Sequence, residues 1–357
     1  MKVLQLIDSL EVGGAERVAV NIANALVSQD AVSHLCATRA EGLLKDSLDT
    51  HVEYLFLNKK STLDVLSIFR LNRYVKLHQI KIIHAHSSSF FLATIIRIFN
   101  KNIKVVWHDH YGNSEFLQHR TFKVLKACSV YFNHIFCVNK HLEKWAKLHL
   151  KSKNISYLPN FAVKTNLTPE TTLHGEIGKR IICLANLREQ KDHLTLLKAF
   201  KITIEQHKDW TLHLIGKDFN DLYSETVKSF ILDNALQKNV FLYGSKPDTF
   251  HMLSQATIGV LSSKSEGLPL SLLEYGLARL PVIATQVGEC AEVVKNDMGL
   301  LVNPKNSIEL SQAFLKYIEN EALRSADAIR FHEYIQNNFS EKSQIKAIIE
   351  IYKKIIK

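Results

Sequence analysis

The segment KVLQLIDSLEVGGAERVAVNIANALV, residues 2–27, decides the fold class. Lys2–Ile7 is a short apolar run that ends at polar residues, which is the pattern of a buried strand. Gly13 and Gly14 follow. Ala15–Val27 is predicted to be a helix whose apolar face consists of Val18, Ile22, Ala25 and Leu26. A strand, a glycine turn and a helix in this order form the first unit of a parallel sheet that is covered by helices.

The same alternation continues on both sides of one polar interruption, which begins at Pro159-Asn160-Phe161 and lasts to Lys179. Before it, strands are expected at Ile80–Ile83, Lys104–Trp107 and Ile135–Val138, and helices near 63–77, 89–99 and 116–130. After it, strands are expected at Arg180–Ala185, Thr211–Ile215, Val240–Tyr243, Ile258–Leu261, Val282–Ala284 and Leu300–Val302, and helices near 194–206, 221–234, 307–319 and 341–356. The pattern predicts an α/β protein with two Rossmann-like, doubly wound parallel-sheet domains. We expect an N-terminal domain at 1–162, a linker at 163–179 and a C-terminal domain at 180–338, with a last helix at 339–357 that packs back towards the N-terminal domain.

Composition is that of an ordinary globular protein, with 46% hydrophobic and 22% charged residues. No stretch approaches the roughly 20 apolar residues of a membrane-spanning helix. The apolar run at the start is short and interrupted by Asp8, so we expect no signal peptide. The five cysteines have no metal-type or redox spacing, and they are expected to be reduced and buried. These features predict a cytoplasmic protein.

Positive charge is concentrated in the first half of the chain. Residues 1–162 carry 21 Lys and Arg against 12 Asp and Glu, so +9 of the net +10 lies there. The segment Lys59–Lys81 mixes cations with large apolar residues, namely Leu63, Leu66, Phe69 and Leu71, and Lys140–Lys153 is a second basic run. Such segments suit an anionic membrane surface, where each nearby basic residue contributes about 1 kcal/mol. The alternative is that the apolar residues are core and the cations solvated. No nucleic-acid recognition motif accompanies the charge.

Two segments of the second half place charged residues after strands, where open α/β sheets bind their ligands. In SSKSEGLPLSLLE, residues 262–274, Glu266 precedes a helix predicted to start at Pro269, and Glu274 lies about one and a half turns inside it. Carboxylates accept hydrogen bonds from sugar hydroxyls, and a helix start offers N–H groups to a phosphate. In ANLREQKDH, residues 185–193, Arg188 and Lys191 are cations suited to a diphosphate. The alternative for both segments is a set of chance surface charges.

The first half has two weaker candidate sites. Gly13-Gly14 would let the backbone approach a ligand at a helix start, but the spacing is not that of a nicotinamide-binding G-x-G-x-x-G loop. His108 and His110 lie at a strand end in WHDHYG, residues 107–112, and another strand ends with two further histidines, His84 and His86. Histidine is a base or a donor near neutral pH. A zinc site at His108 and His110 would need a third ligand, which the local sequence does not offer. The sequence also has no Asp-x-Asp motif to hold a divalent ion on phosphates, so we expect no metal.

Taken together, these motifs resemble the family 4 retaining glycosyltransferases of the GT-B fold. Glu266 and Glu274 match the Glu-x7-Glu motif of that family. Further similar segments run along nearly the whole chain in order, at 13–17, 159–160, 265–270, 281–285 and 299–302. The resemblance implies two domains that face each other across a cleft, with the acceptor bound by the N-terminal domain and the nucleotide sugar by the C-terminal domain.

The resemblance also implies roles for the donor-binding residues of the second half. Glu266 would bind hydroxyls of the donor sugar, and Glu274 would bind the ribose of the nucleotide. Gly267 and Leu268 would offer backbone N–H groups to the donor. Lys191 would bind the diphosphate.

In the first half, Gly13 and Gly14 would approach the diphosphate, and His110 would contact the donor sugar, because it follows Val105-Val106 at the spacing of the family. The expected catalytic residues are Glu266, His110 and Lys191. The expected acceptor contacts are Glu16, Arg17 and His108. One position departs from the family, whose arginine five residues before the lysine is Asn186 here. We therefore expect Arg188 to reach the diphosphate instead.

The sequence predicts transfer of a hexosyl or N-acetylhexosaminyl group, with retained configuration, from a nucleotide diphosphate sugar to a glycan or polyprenyl-diphosphate-linked acceptor. The expected process is the biosynthesis of a surface polysaccharide such as lipopolysaccharide or capsule, with no cofactor or metal, in the cytoplasm or peripherally on the inner face of the membrane. Within the same fold, the alternatives are a sugar-nucleotide epimerase and an inverting transferase in which His110 is the base. An alternative from another class is a non-catalytic binding or regulatory subunit.

Overall fold

The computed structural model describes residues 1–29, 31–164, 168–295 and 297–357. Residues 165–167 of the predicted linker therefore lie outside the described residues. The chain divides into two compact units, which we call unit 1 (Met1–Phe161 with Glu341–Lys357) and unit 2 (Ala162–Ser340). No helix in the described ranges is long and apolar enough to cross a membrane.

Unit 1 contains a seven-stranded, fully parallel sheet in the order β3-β2-β1-β4-β5-β6-β7. Its elements are β1 (Lys2–Ser9), α1 (Gly14–Val27), β2 (Val32–Ala40), β3 (Glu53–Phe56), α2 (Val65–Leu77), β4 (Ile82–His86), α3 (Phe90–Phe99), β5 (Lys104–Asp109), α4 (Lys123–Cys128), β6 (Phe132–Cys137), α5 (Lys140–His149) and β7 (Ile155–Tyr157). The strand order reverses between β1 and β4, so the carboxyl ends of these two strands form a crevice of the kind in which doubly wound sheets bind ligands.

Unit 2 contains a six-stranded parallel sheet in the order β10-β9-β8-β11-β12-β13. Its strands are β8 (Arg180–Leu184), β9 (Thr211–Ile215), β10 (Val240–Gly244), β11 (Ile258–Leu261), β12 (Val282–Thr285) and β13 (Leu300–Val302). Its helices are α6 (His193–Gln206), α7 (Leu222–Asp233), α8 (Thr249–Ser254), α9 (Leu270–Leu277), α10 (Cys290–Val293), α11 (Ser307–Glu319) and α12 (Glu321–Asn338). The last helix, α13 (Glu341–Ile356), belongs to unit 1. Two Rossmann-like parallel-sheet units confirm the predicted fold class.

Polar residues explain where the sequence pattern missed an element. Strand β2 was not predicted because Ser33, His34 and Thr38 interrupt its apolar run, although all three are buried. Most of their polar groups have partners inside the unit: the Ser33 hydroxyl donates to the Ala23 carbonyl at 2.7 Å, and the Thr38 hydroxyl donates to Asp8 at 2.6 Å. A buried strand whose polar side chains find partners on neighbouring elements has no clear apolar pattern in the sequence.

The helix predicted at 116–130 is wrong as one continuous element. The structure has a 3-10 segment at Ser114–His119, then α4, and an extended backbone at Arg120 between them. The two terminal nitrogens of the Arg120 guanidinium, Nη1 and Nη2, donate to the carboxylate of Asp109 at 2.7 and 2.8 Å, and both side chains are buried. A forked ion pair of this kind fixes the arginine at the end of β5 and interrupts the helix.

Candidate functional site

Three loops of unit 2 meet at the carboxyl ends of β8, β11 and β12, and they are joined by hydrogen bonds. The Ser262 hydroxyl donates to the Lys191 carbonyl at 2.9 Å, and the Lys264 amide donates to the Gln190 carbonyl at 2.7 Å. The Thr285 hydroxyl donates to the Ser263 carbonyl at 2.7 Å. These bonds bring the two charged segments of the sequence, 185–193 and 262–274, into one place.

The central contact of this place is an ion pair between Lys191 and Glu266. The Lys191 ammonium lies 2.5 Å from Glu266 Oε1, and the Ser263 hydroxyl donates to the same oxygen at 2.5 Å. The Glu266 side chain is 5% exposed and that of Lys191 is 21% exposed. A carboxylate this deeply buried needs such partners, because removing its charge from water is costly. The pair offers a ligand both a cation and a carboxylate that accepts hydrogen bonds from hydroxyl groups.

Helix α9 starts directly after this pair. Pro269 has extended backbone angles and precedes the first helical residue, Leu270, so the helix starts one residue later than predicted. The N-cap residue Pro269 makes no side-chain capping hydrogen bond, and the first-turn N–H groups of a helix suit an anion. Glu274 lies in the second turn and is half-buried beside the fully buried Leu272 and Leu273.

A glycine that the sequence interpretation missed shapes the loop around Glu266. Gly288 has a φ of +53°, and a Cβ there would lie 2.1 Å from the Glu266 carbonyl oxygen. The next residue, Glu289, donates its amide to the Gly267 carbonyl at 3.0 Å. Only glycine permits both this left-handed backbone and this close approach. Its position after the end of β12 matches that of Gly13-Gly14 after β1, which was the available signal in the sequence.

The two residues considered for diphosphate binding after β8, Asn186 and Arg188, have different surroundings. The Asn186 side-chain oxygen accepts the Lys217 amide at 2.8 Å, which ties it to the loop after β9. The exposed Arg188 places its guanidinium 4.8 Å from the centre of the Phe219 ring, and the Lys217 ammonium lies 5.3 Å from the same ring. The sequence interpretation missed Lys217 and Phe219, which lie after β9 and reach the site only through the sheet order.

The candidates in unit 1 around α1 differ in their accessibility. Gly13 caps α1 with extended backbone, and Gly14 is exposed with open space where a Cβ would lie. Glu16 is half-buried beside Gly13. Arg17 is buried at 7% exposure. An approaching ligand can therefore reach Gly14 directly, whereas Arg17 would first have to leave its surroundings.

Four histidines, which we call the histidine cluster (His84 and His86 on β4, His108 on β5 and His110 directly after β5), pack ring against ring in unit 1. The ring centres of His108 and His110 are 4.1 Å apart, and those of His84 and His86 are 4.6 Å apart. Burial lowers the pKa of His84, His86 and His108 well below the usual value, and that of His110 to about 3. The cluster is therefore neutral near pH 7.

The histidine cluster also supplies the third imidazole that the local sequence around His108 lacks. Ring nitrogens of His84, His86 and His108 lie within 4.8 Å of one another. The rings of His84 and His108 are nearly parallel, at 8°, with centres 5.3 Å apart. A metal ion binds each imidazole in the plane of the ring, so two stacked parallel rings do not converge on one ion. Both nitrogens of His86 also have hydrogen-bond partners. Both nitrogens of His108 and Nε2 of His84 have no hydrogen-bond partner among the residues that the structure describes. The parallel rings and the paired nitrogens of His86 nevertheless fit stacking better than metal ligation.

Comparison with known proteins connects these features to one family. Residues 12–162 match the family described as Glycosyltransferase Family 4, and residues 168–337 match the family described as Glycosyl transferases group 1. The chain is 25% identical over 323 residues to the phosphatidylinositol N-acetylglucosaminyltransferase GPI3 subunit of Saccharomyces cerevisiae, covering 85% of this chain and 70% of the yeast protein.

A bacterial relative and a solved structure are matched over a larger share of their own length than the yeast protein. The UDP-Gal:alpha-D-GlcNAc-diphosphoundecaprenol alpha-1,3-galactosyltransferase of Escherichia coli is 23% identical over 340 residues, covering 88% of this chain and 87% of the relative. The crystal structure of Anabaena Alr3699/HepE in complex with UDP and glucose has a TM-score of 0.82 at 17% identity, covering 99% of this chain and 100% of that one. This second likeness shows the fold.

Proposed function

The chain belongs to the family 4 glycosyltransferases of the GT-B fold, and from this premise we propose that it transfers a sugar from a nucleotide diphosphate sugar with retention of configuration. The observation that carries the proposal is the ion pair between Lys191 and Glu266, 2.5 Å apart at the meeting of three loops. The two side chains come from segments 75 residues apart, and each was expected at the donor. The direct test is release of nucleoside diphosphate from a panel of nucleotide sugars, with the anomeric form of the product as the second readout.

We propose that the leaving diphosphate is stabilised by charge. Negative charge develops on it in the transition state, where Lys191 and the start of α9 are placed to offset it. Glu266 would accept hydrogen bonds from sugar hydroxyls, and Gly267 and Leu268 would donate backbone N–H groups. Glu274 in the second turn of α9 would bind the ribose. The step needs no covalent nucleophile: the acceptor oxygen forms its bond to the anomeric carbon on the face from which the diphosphate leaves, as the bond from that carbon to the diphosphate oxygen breaks. The proton of the acceptor hydroxyl passes to the departing diphosphate.

The first donors to test are uridine diphosphate sugars. The Anabaena structure holds UDP and glucose, and the printed name of the Escherichia coli relative gives UDP-Gal as donor and a diphosphoundecaprenol-linked GlcNAc as acceptor. These names support a proposed lipid-linked glycan acceptor and a role in surface polysaccharide assembly. The yeast relative is named as a subunit, which keeps a partner-dependent enzyme as the second candidate. Turnover by the isolated chain distinguishes the two.

The acceptor and sugar contacts in unit 1 stay predictions that rest on the family resemblance. Gly13, Gly14 and His110 are at least partly accessible. Of the three expected acceptor contacts, we propose Glu16 first, because Arg17 and His108 are buried at 7% and 1% exposure.

We further propose that α2 docks on an anionic membrane at the cytoplasmic surface. Four large apolar side chains at its start are exposed, namely Leu63 at 63%, Val65 at 59%, Leu66 at 76% and Phe69 at 64%. The cations Lys60, Arg70, Arg73 and Lys76 are exposed around them. Two residues of the predicted segment do not belong to this surface, because Leu71 is core and Lys59 is 7% exposed. Apolar side chains mixed with cations suit a lipid interface, because the apolar side chains insert among the lipids and the cations bind the anionic headgroups.

A further inference from the structure

The polar side chains behind His110 form one line of hydrogen bonds through unit 1. His86 Nδ1 lies 3.0 Å from His110 Nε2, and His86 Nε2 lies 2.8 Å from Gln5 Oε1. Gln5 Nε2 lies 3.4 Å from the hydroxyl of Tyr352, which lies 2.6 Å from Nδ1 of His84. His84, His86, Gln5 and Tyr352 are all fully buried, whereas His110 is partly exposed. The line therefore runs from the C-terminal helix α13 to an accessible imidazole.

The amide of Gln5 sets the direction of the protons along this line. Its nitrogen donates to the Tyr352 oxygen, so the Tyr352 proton points to His84 Nδ1. Its oxygen accepts, so His86 carries its proton on Nε2 and accepts at Nδ1. His110 must then donate from Nε2. A neutral His110 in this arrangement has an unprotonated Nδ1.

The titratable groups that act on the buried histidines of this line all oppose a positive charge there. His84 and His108 lie on the neighbouring strands, His134 lies on β6, and Lys354 lies on α13 beside His134. Burial is the largest cause that lowers the pKa of each histidine of the line, and for His110 the value is about 3. The tautomer of His110, rather than its charge, is the property that the line controls.

We propose that Gln5, His86 and Tyr352 are positioning residues that hold neutral His110 with its proton on Nε2. Its Nδ1 lone pair is then ready to accept a hydrogen bond from a substrate hydroxyl. This inference rests on the proposed function, in which His110 contacts a sugar. It assigns the C-terminal helix a role in the site, because the Tyr352 hydroxyl accepts from the Gln5 amide nitrogen while it donates to His84.

The tautomer can be measured directly by nitrogen NMR on histidine-labelled protein, with the His110 signals assigned from their loss in His110→Gln. The wild type is expected to show protonated Nε2 and unprotonated Nδ1 from about pH 5.5 to 8. Tyr352→Phe removes the acceptor of the Gln5 amide nitrogen, so the amide can turn over and a mixture of both His110 tautomers is expected. The matched control is Tyr74→Phe, because the Tyr74 hydroxyl lies 2.8 Å from His34 Nδ1 in the same unit but outside the line. It should leave the His110 signals unchanged.

A second variant tests the line through the pH profile. In Gln5→Glu, a carboxylate accepts from His86 but its charge favours protonated imidazoles, so the pKa of the His86–His110 pair should rise. A protonated His110 carries a proton on Nδ1 and cannot accept there. We expect kcat to fall about tenfold or more below the raised pKa and to recover above it, whereas the wild type stays flat over the same range. A merely structural defect would lower activity equally at every pH.

Two results would overturn the inference. One is a wild-type His110 with its proton on Nδ1. The other is a folded Tyr352→Phe or Gln5→Glu protein whose His110 signals and pH profile match those of Tyr74→Phe. The NMR experiment needs no substrate, so it stands even if no donor is turned over. Conversely, wild-type transfer that Glu266→Gln abolishes would support the proposed function even if the tautomer result contradicts the line.

Discussion

At the scale of single residues, the ion pair between Lys191 and Glu266 joins the two charged segments of unit 2 in one place. Both residues were expected at the donor because each follows a strand of a predicted parallel sheet. Their 2.5 Å contact was not foreseeable, since it depends on β8 and β11 being neighbours in the sheet. The same holds for Gly288, whose need for a left-handed backbone appears only once the loop after β12 lies against Glu266.

The residue-scale prediction for Glu266 is a loss of transfer without a loss of fold. Glu266→Gln keeps the size of the side chain but removes its charge, and turnover should fall about a hundredfold if the carboxylate acts mainly in the transition state. Release of nucleoside diphosphate measures turnover, and thermal unfolding checks the fold. The matched control is Glu189→Gln, because Glu189 pairs with Lys264 between the same two loops at 3.1 Å but is 79% exposed. Equal activity in the two variants would remove Glu266 from the site.

A second residue-scale prediction separates the cations at the end of β8. Lys191→Ala should weaken nucleoside diphosphate binding and turnover together, because a charge-assisted contact is lost. Arg188→Ala should do the same, by about tenfold, if Arg188 leaves Phe219 to reach the phosphate. Calorimetric titration with UDP measures both. A silent Arg188→Ala beside a damaging Asn186→Ala would mean that the asparagine position, not Arg188, serves the diphosphate.

At the scale of elements, strands with mostly apolar runs were predicted well, whereas strand β2, with three buried polar residues near its ends and centre, was not. Thr211–Ile215 and Ile258–Leu261 are observed as predicted. Strand β2 was missed because Ser33, His34 and Thr38 have partners that sequence does not reveal. The break in the segment 116–130 depends on the ion pair of Arg120 with Asp109, a contact made by the folded unit rather than by local propensity.

Helix α2 carries the element-scale prediction. The double variant Leu66→Ser/Phe69→Ser should reduce co-sedimentation with anionic liposomes by about tenfold or more, since burying a large apolar side chain contributes roughly 1.5–3 kcal/mol. Wild-type binding should fall with salt, because the attraction is screened beyond about 8 Å. The control is Leu222→Ser, which alters a side chain of unit 2 that is 79% exposed. Equal recovery of the wild type with neutral and anionic vesicles would contradict membrane docking.

At the scale of the whole molecule, alternation of strands and helices predicted two parallel-sheet units, which the structure confirms. Charge distribution was readable too, because +9 of the net +10 lies in residues 1–162. The sequence does not show which charged and apolar side chains are exposed. Lys59 and Leu71 look like their neighbours in sequence, but both are buried in the structure.

The prediction at this scale concerns metals. Protein groups rather than a divalent ion are proposed to handle the diphosphate charge, because the sequence has no Asp-x-Asp motif and Lys191 lies beside the start of α9. Turnover should therefore survive EDTA within about twofold. Complete loss with EDTA, followed by recovery with magnesium or manganese, would show that the proposed electrostatics are incomplete.

The central claim is a retaining transfer from a nucleotide sugar at the Lys191–Glu266 site. Its most direct test is time-resolved proton NMR of the first sugar released or transferred from α-linked UDP sugars, read before the anomers equilibrate. We expect the α form to appear first and Glu266→Gln to slow its appearance about a hundredfold. A β form that appears first, or an α form that appears equally fast in Glu266→Gln, would contradict it.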